Sequence, residues 1–484
     1  MRRPTLLALA ASLALASPAL GQGGPDTTGI LGAAACELVA VVNGGDSAAV
    51  QRFVEARLSA HALAEQPTAA YAAQLLALGR QSGGVTLRGT EPLGQSRILT
   101  LWARRMDRGT LVHLAPDRQD STRLGALHLF GPEHGGMELH LPAGARERAL
   151  DQAIERELRR LERAGQLSGV LAVERGGRVR VLYAAGWADA ARRIPNTPAT
   201  RFHLASMGKM FTAVAVAQLV EARRLALDDT VSHVLPELPW HPVAGTITVR
   251  QLLEHTGGIG EADSAHQMLA QIAARAPDFP PGTRFSYSNE GYRLLAGVVA
   301  RVSGESFEDY LRRHVFAPAG MPRITTAAAE EQRPAPAIGY GRRDDDAFAA
   351  LPLVPDTAQV RGRRATGAGG EYASVDDLLR FARALRDGRL VSRAMLDTLT
   401  APRHGVPAVL PGEQYGYGFM TLPVADRRIV GHGGGGMGWG ICTSFFTAPG
   451  PTPAAAFTVV LLSNYDPPAC ELQGSALAEA MSRG

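Results

Sequence analysis

Segments with the composition of β-strands occur at both ends of the C-terminal two thirds of the chain, and helical patterns lie between them. The strand-like segments are 169–174, 179–184, a stretch near Ile429, 440–447 and 457–462. The clearest helical pattern is 204–221, and a second helix over 376–386 has Ser374 in position to cap it. Because short strands are stable only when they pair, both ends are expected to contribute to one sheet. We therefore expect a single α/β domain over residues 146–484.

Residues 22–145 have a different pattern. Apolar residues recur at helical spacing over 32–62, with a break just before Asp46, which can cap the following helix. From 84 to 130, short apolar runs alternate with turn residues, as in an antiparallel meander. Helices followed by a meander predict a small α+β domain, which ends near Pro142. This order resembles the nuclear-transport-factor-2-like fold, in which helices pack on a curved sheet, and the sequence assigns the domain no role.

Residues 1–21 have the features of a cleavable signal peptide. Arg2 and Arg3 precede an apolar stretch over residues 6–16. Ala19 and Gly21 then form a small-x-small cleavage site. The apolar stretch is too short to span a bilayer, and no later run reaches about 18 apolar residues. We expect a secreted or periplasmic protein without a membrane span; a retained, uncleaved anchor is the alternative.

The composition excludes several classes of protein. A formal net charge of +4 over 484 residues is too diffuse to indicate a nucleic-acid or anionic-membrane partner. The 13 histidines include no HExxH motif and the three cysteines no CxxC pair, so we expect no metal and no cofactor. An exported chain permits a disulfide between Cys442 and Cys470, although buried free thiols fit equally well. Cys36 is expected in the core, and the oligomeric state stays open.

Among the 50 Lys and Arg residues, Lys209 is the single lysine. Arginine does not lose its proton in a protein, so Lys209 is the residue to consider for chemistry that needs a free amine. Ser206 precedes it by three residues, and residues three apart share one face of a helix. Partial burial helps a lysine to lose its proton, and a serine hydroxyl needs an adjacent base to become a nucleophile. Ser206 and Lys209 are therefore candidates for a nucleophile and its base, although chance alone can produce this spacing.

Two further segments could complete such a site. The first, Tyr287-Ser288-Asn289, offers a phenol that can transfer a proton and an amide that can hold a substrate carbonyl or an amine; turn chemistry explains Ser and Asn equally well. The second, Gly-His-Gly-Gly-Gly-Gly at 431–436, lies beside a predicted strand, where small side chains let a substrate approach. Its N–H groups could form half of an oxyanion hole. The glycines also satisfy GxGxxG, but no βαβ unit with a downstream acidic residue follows, which excludes a dinucleotide site.

The order SxxK, YxN and glycine-rich strand resembles the penicillin-recognising serine hydrolases, in particular the branch of class C β-lactamases, D-Ala-D-Ala carboxypeptidases and esterases. The resemblance covers about 146–484. It implies a β-lactamase-like domain in which an antiparallel sheet is flanked by helices and by a subdomain of helices and loops.

The same resemblance implies roles for the candidate residues. Ser206 would be the acylated nucleophile, Lys209 its base and Tyr287 a proton shuttle. The residues implied to contact the substrate are Asn289, which could orient Lys209 instead, and His432, Gly434 and Gly435. The N–H groups of Ser206 and Gly435 would form the oxyanion hole.

One position departs from the family pattern. Where β-lactamases and many peptidases have Lys-Thr-Gly, this chain has His432-Gly433-Gly434. Histidine is only partly charged near neutral pH, and glycine has no hydroxyl, so a substrate carboxylate lacks its usual partner. The resemblance thus implies an exported serine hydrolase for a small ester, amide or peptide, including D-amino-acid peptides. A weak β-lactamase and a non-catalytic protein that binds peptidoglycan or peptides are the alternatives.

Overall fold

A computed structural model of the chain shows two compact units, one within residues 1–138 and 342–354 and one within residues 139–341 and 355–484. The structure describes residues 29–93, 96–104, 109–117, 120, 122–133, 139, 141, 147–163, 167–260, 269–326, 336–341, 354–355, 366–405, 414–424, 427–436, 441–449, 455–465, 474, 477–478 and 480–482. The predicted signal peptide over residues 1–21 lies outside these residues. None of the described helices is long and apolar enough to cross a membrane.

In the described residues, the N-terminal unit consists of four helices followed by a four-stranded sheet. The helices are α1 (Gly29–Gly44), α2 (Ser47–Arg57), α3 (Ala60–Glu65) and α4 (Thr68–Ser82), and the strands are β1 (Val85–Leu93), β2 (Ser96–Ala103), β3 (Gly109–Pro116) and β4 (Leu124–Glu133). The strands form an antiparallel meander in the order β1-β2-β3-β4. Asp46 caps α2, because its carboxylate accepts the N–H groups of Ala48 and Ala49. The α+β class is confirmed, and the likeness to the nuclear-transport-factor-2-like fold stays a prediction.

The cysteines differ in part from expectation. Cys36 is a free and exposed thiol, so its predicted place in the core is wrong. The reason is that α1 buries the face that carries Ala35 and Leu38, and Cys36 lies outside that face. Cys442 is disulfide-bonded. Cys470 lies outside the described residues.

The second unit alternates between strands and helices along the chain. Its helices are α5 (Glu147–Arg163), α6 (Gly208–Glu221), α7 (Val231–Val234), α8 (Val249–Leu253), α9 (Leu269–Ala273), α10 (Asn289–Ser303), α11 (Phe307–Tyr310), α12 (Ala317–Ala319), α13 (Val375–Arg386) and α14 (Arg393–Leu399). Its strands are β5 (Gly169–Arg175), β6 (Arg178–Ala185), β7 (Trp187–Asp189), β8 (Ile194–Pro195), β9 (Phe202–His203), β10 (Thr325–Thr326), β11 (Tyr340–Gly341), β12 (Val354–Pro355), β13 (Glu371–Ala373), β14 (His404–Gly405), β15 (Gln414–Tyr415), β16 (Met420–Val424), β17 (Arg427–Gly436), β18 (Ile441–Ala448) and β19 (Phe457–Ser463).

An eight-stranded antiparallel sheet takes strands from both ends of this unit, as the sequence predicts. Its order is β14-β15-β16-β17-β18-β19-β5-β6, so β19, near the end of the chain, pairs with β5, near the start of the unit. Strands β18 and β19 are buried throughout, as apolar strands in the middle of a covered sheet should be. A second, three-stranded sheet in the order β10-β13-β9 leads into the candidate site.

Two helices fix the interior of the unit. Helix α6 is apolar on nearly all sides and forms the centre of the main hydrophobic core. Ser374 caps α13 in a capping box with Asp377, which confirms the predicted cap. The opposite end of α13 is tied to the sheet because Arg383 and Arg386 both pair with Glu174, a buried carboxylate of β5.

Candidate active site

Ser206 lies at the junction between the small sheet and the buried helix α6. Strand β9 leads through Leu204 into a 3₁₀ turn over Ala205–Met207, and α6 follows directly. Ala205 has a left-handed backbone conformation with φ of 47°, which is strained for a residue with a Cβ. Its carbonyl oxygen packs against Gly369, where a Cβ would lie only 2.1 Å away. The contact with Gly369 thus stabilises the turn, which places a half-buried Ser206 at the start of the helix.

The Lys209 side chain is fully buried, and its amine lies close to oxygen atoms of several residues. Nζ lies 3.1 Å from Ser206 Oγ, 2.7 Å from Asn289 Oδ1 and 3.0 Å from the carbonyl oxygen of Ala368. It also lies over the face of the Tyr287 ring, 4.7 Å from the centroid. The structure therefore brings the SxxK pair and both functional side chains of the YxN segment into one cluster.

The start of helix α10 positions Tyr287 and Asn289. Ser288 between them is the N-cap residue, and its Oγ accepts the N–H of Gly291 at 3.0 Å. Asn289 is the first residue of the helix, which brings its amide oxygen to Lys209. Turn chemistry accounts for Ser288, whereas the contact of Asn289 with a buried amine goes beyond what a turn requires.

His255 orders the segment that carries Tyr287. The two rings stack with centroids 4.3 Å apart, and His255 Nδ1 accepts the backbone N–H of Ser288 at 3.0 Å. Burial holds the pKa of His255 well below its usual value, and a positive charge on Lys209 lowers it further. The ring is therefore neutral and acts as a hydrogen-bond acceptor for the turn.

The glycines of strand β17 lie directly beside the Ser206 turn. A Cβ on Gly434 would be 2.4 Å from the Leu204 carbonyl oxygen and 3.0 Å from the Ser206 nitrogen, so no side chain fits there. Thr443 of β18 stabilises this contact. Its hydroxyl lies within hydrogen-bond distance of two carbonyl oxygens, 3.0 Å from that of Gly434 and 3.2 Å from that of Leu204. Gly435 follows in β17, where it is paired with Cys442. The glycine-rich strand thus brings its backbone to the Ser206 N–H.

His432 is buried and uncharged, so the expectation of a partly charged ring is wrong. Burial lowers its pKa to about 3, and the charge of Lys209 acts in the same direction. Nδ1 donates to the carbonyl oxygen of Gly433, which leaves Nε2, 3.1 Å from the Tyr415 hydroxyl, as an acceptor. The sequence did not reveal this environment because Tyr415 comes from β15, a different strand.

The described part of the chain holds no group of three or more His, Cys, Asp or Glu side chains that could bind a metal ion. The chemistry available at the cluster is that of a hydroxyl, an amine, a phenol, an amide and backbone N–H groups. That set suits attack on a carbonyl carbon with proton transfer to a nearby base.

Residues 150–480 match the family model described as Beta-lactamase. The chain belongs to the beta-lactamase family. This confirms the resemblance to the penicillin-recognising serine hydrolases and the predicted fold class of residues 146–484. The match begins inside α5 and includes every residue of the Ser206 and Lys209 cluster.

Individual members of the beta-lactamase family show the range of relatives. The chain is 33% identical over 262 residues to a protein named as a penicillin-binding protein, PbpX, of Bacillus subtilis strain 168, covering 53% of this chain and 62% of that protein. It is 28% identical over 289 residues to the D-aminopeptidase of Gluconobacter oxydans strain 621H, covering 56% and 52%. The D-amino acid amidase of Ochrobactrum anthropi SV3 aligns with a TM-score of 0.53 and 25% identity over 66% of this chain and 94% of that one. The chain spans less than two thirds of the length of the first two relatives.

Two features of the site could not be predicted from the SxxK, YxN and glycine-rich motifs. The Ala368 oxygen that approaches Lys209 is a backbone atom, and a backbone carbonyl leaves no trace in residue identity. The left-handed Ala205 is the second feature, since alanine does not favour that conformation. Gly369 is the one sequence clue to the strained turn, because only glycine leaves room for the Ala205 carbonyl.

Proposed function

We propose that the protein is an exported serine hydrolase that cleaves a small ester or amide through a covalent acyl-Ser206 intermediate, without a cofactor. The observation that carries the proposal is the placement of the Lys209 amine, 3.1 Å from Ser206 Oγ and held by two further oxygen atoms. Removal from water favours the neutral form of an amine. A neutral amine beside a serine hydroxyl is a base next to a nucleophile.

The contacts of Nζ suit proton abstraction. A neutral amine has two N–H bonds and one lone pair. The N–H bonds can point at Asn289 Oδ1 and at the Ala368 carbonyl oxygen, both of which accept hydrogen bonds. The lone pair then faces the Ser206 hydroxyl. In this arrangement Asn289 and Ala368 orient the base, which supports the role of Asn289 as a residue that orients Lys209.

Acylation then follows in balanced steps. Ser206 Oγ bonds to the substrate carbonyl carbon as its proton passes to Lys209, and the carbonyl electron pair moves to oxygen. The resulting oxyanion accepts hydrogen bonds from the N–H groups of Ser206 and Gly435. When the tetrahedral intermediate collapses, the leaving group takes a proton that Tyr287 relays from Lys209. Water reverses these steps on the acyl-enzyme and frees Ser206.

The substrate we propose needs no free carboxylate. His432 stands where family members with a Lys-Thr-Gly segment have a fixed positive charge, and its low pKa keeps it neutral at physiological pH. An ester, an amide or a D-amino-acid peptide fits such a site better than a penicillin, whose carboxylate would lack a partner. The names of the D-aminopeptidase and D-amino acid amidase relatives agree with this choice. Weak β-lactamase activity remains the second candidate among the reactions.

A substrate panel tests the proposal. Purified wild type and Ser206→Ala are assayed with p-nitrophenyl acetate, D-alanine p-nitroanilide and nitrocefin. We expect Ser206-dependent turnover of the ester or the D-amino-acid anilide, and slower turnover of nitrocefin. Equal rates for wild type and Ser206→Ala on all three would contradict the proposal and favour a binding protein on the same fold.

Export is tested separately. The protein is recovered from the envelope of its native cells and its mass is measured, and we expect the mass of a chain without residues 1–21.

A further inference from the structure

Glu371, the first residue of β13, is a fully buried carboxyl group next to the Ser206 turn. Its backbone carbonyl accepts the N–H of Leu204 at 2.8 Å, one residue before the turn begins. Strand β13 is also paired with β9, which leads into the turn, and with β10. The position of Glu371 is therefore fixed relative to Ser206.

The carboxyl group packs against the residue that precedes Lys209. A Cβ on Gly208 would lie 2.2 Å from Glu371 Oε2, so the carboxyl oxygen fills the space above the Gly208 Cα. Among the described residues, no other residue donates a hydrogen bond to Oε1 or Oε2, and only the backbone N–H of Glu371 itself, which lowers the pKa of the carboxyl group, interacts with it in this way. Burial of a carboxyl group without a partner on another residue is unfavourable, and an apolar side chain of similar size would avoid that cost. The fold alone does not account for an acid at this position.

Two charged groups face Glu371 from the neighbouring elements. Lys209 on α6 favours the ionised carboxylate, and Glu308 on α11 opposes it. Glu308 is linked to the same sheet, because its carboxylate accepts the hydroxyl of Thr326 at 3.3 Å and Thr326 is directly opposite Glu371. Strand β9 contributes His203, which lies against the Tyr372 ring. Burial is the strongest influence and raises the pKa of Glu371 to about 7.

We propose that Glu371 is a positioning residue for Lys209, whose carboxylate stabilises the ammonium group that forms when Lys209 takes the Ser206 proton. The inference rests on the proposed function, since it requires Lys209 to act as the base. The amine gains a positive charge in a site that excludes water, where a nearby negative charge has a strong effect. The proton moves from Ser206 to Lys209, and Glu371 keeps its own charge throughout the step.

This role makes catalysis depend on pH in a specific way. Below about pH 7 Glu371 is neutral and gives Lys209 no electrostatic support. Above that pH it is ionised, so kcat/KM gains an additional rise. Glutamine has the same size and no charge, so Glu371→Gln matches the wild type at acidic pH and differs from it at alkaline pH.

The experiment is a pH profile of kcat/KM for p-nitrophenyl acetate from pH 5.5 to 8.5. We expect Glu371→Gln to be roughly tenfold slower than wild type at pH 8.5 and within about twofold at pH 5.5, since one pKa unit of interaction corresponds to a factor of ten. The same pH profile of kcat/KM is measured for a second variant, Glu308→Gln. Because Glu308 opposes the ionisation of Glu371, its removal should move the additional rise to lower pH.

A ratio of wild type to Glu371→Gln that stays constant with pH would overturn the inference, because a purely structural role affects all pH values alike. Thermal melts show whether Glu371→Gln folds; if it does not, Glu371→Leu, which removes the buried charge, takes its place in the same profile. Failure of the proposed function would look different. In that case wild-type turnover would equal that of Ser206→Ala at every pH, which would overturn both.

Discussion

Gly369 and Ala205 are in direct backbone contact: a Cβ on Gly369 would lie 2.1 Å from the Ala205 carbonyl oxygen. Both residues have positive φ angles, 145° at Gly369 and 47° at Ala205. Strain of this kind persists only where the surroundings hold it, and here it holds the turn that carries Ser206. The neighbouring residue Ala368 supplies the carbonyl oxygen near Lys209. One segment therefore supports both the nucleophile and the base.

The variant Gly369→Ala should lose both stability and activity. We expect a loss of about 2–4 kcal/mol in the free energy of unfolding, because the new Cβ meets backbone that cannot move without the turn. Urea unfolding and ester turnover measure the two effects. Gly388→Ala is the matched control, since Gly388 also has a positive φ but its nearest atom would be 3.8 Å away. If the two variants are equally stable, the contact with Ala205 is not what holds the turn.

The variant Lys209→Met should fold but fail to acylate. Methionine fills the buried space of the lysine side chain and removes the amine, so the proton of Ser206 has no acceptor at 3.1 Å. We expect the acylation rate to fall by roughly 10³-fold, in the range of a lost general base. Stopped-flow acylation measures the rate, and circular dichroism checks the fold. Retention of wild-type acylation in a folded Lys209→Met protein would exclude Lys209 as the base.

The free energy of unfolding should fall as the pH drops below about 6.5. The folded state keeps His432 neutral down to about pH 3, while the same side chain in the unfolded chain takes up a proton near its ordinary pKa of 6.5. Stability therefore decreases with falling pH by about 1.4 kcal/mol per pH unit for this group. Urea unfolding of wild type and His432→Gln from pH 7 to pH 4.5 measures the difference in slope. Equal slopes would show that His432 has the same pKa in the folded and the unfolded protein, which contradicts its neutral state in the fold.

Glu371 should destabilise the protein at alkaline pH. Its folded-state pKa of about 7 lies above the ordinary glutamate pKa of 4.5, so its contribution to stability is lost as the pH rises between these values. The loss amounts to about 3 kcal/mol above pH 7. Glu371→Leu removes this dependence, and the variant should become progressively more stable than wild type from pH 5 to pH 8 in thermal melts. A constant difference across that range would show that Glu371 does not titrate there.

Much of the fold was predictable because its signals are local. The strands over 169–185 and 441–463 and the buried helix after Ser206 follow from apolar patterns and turn residues. The approach of Ser206 to Lys209 was predictable for the same reason, since a spacing of three fixes it within one helical turn. The SxxK, YxN and glycine-rich segments resemble one family in their order, and that family is confirmed.

The remaining features depend on contacts between distant parts of the chain. The neutral state of His432 results from burial against Tyr415, and the burial of the Glu371 carboxyl group results from the packing of β13 on the turn before α6. A residue's identity does not reveal how much water its neighbours leave around it. Cys36 was expected in the core and is exposed. A helical pattern predicts which residues share a face more reliably than it predicts which face is buried.

The most direct test of the account is whether Ser206 becomes covalently acylated. Wild type, Ser206→Ala and Lys209→Met are incubated with a fluorophosphonate probe and, separately, with benzylpenicillin, and the intact mass of each protein is measured. We predict one adduct of the fluorophosphonate on wild type, its absence from Ser206→Ala, and strongly reduced labelling of Lys209→Met. Penicillin should label wild type more slowly. An unmodified wild type with both probes, or equal labelling of Ser206→Ala, would contradict the assignment of Ser206 as the nucleophile.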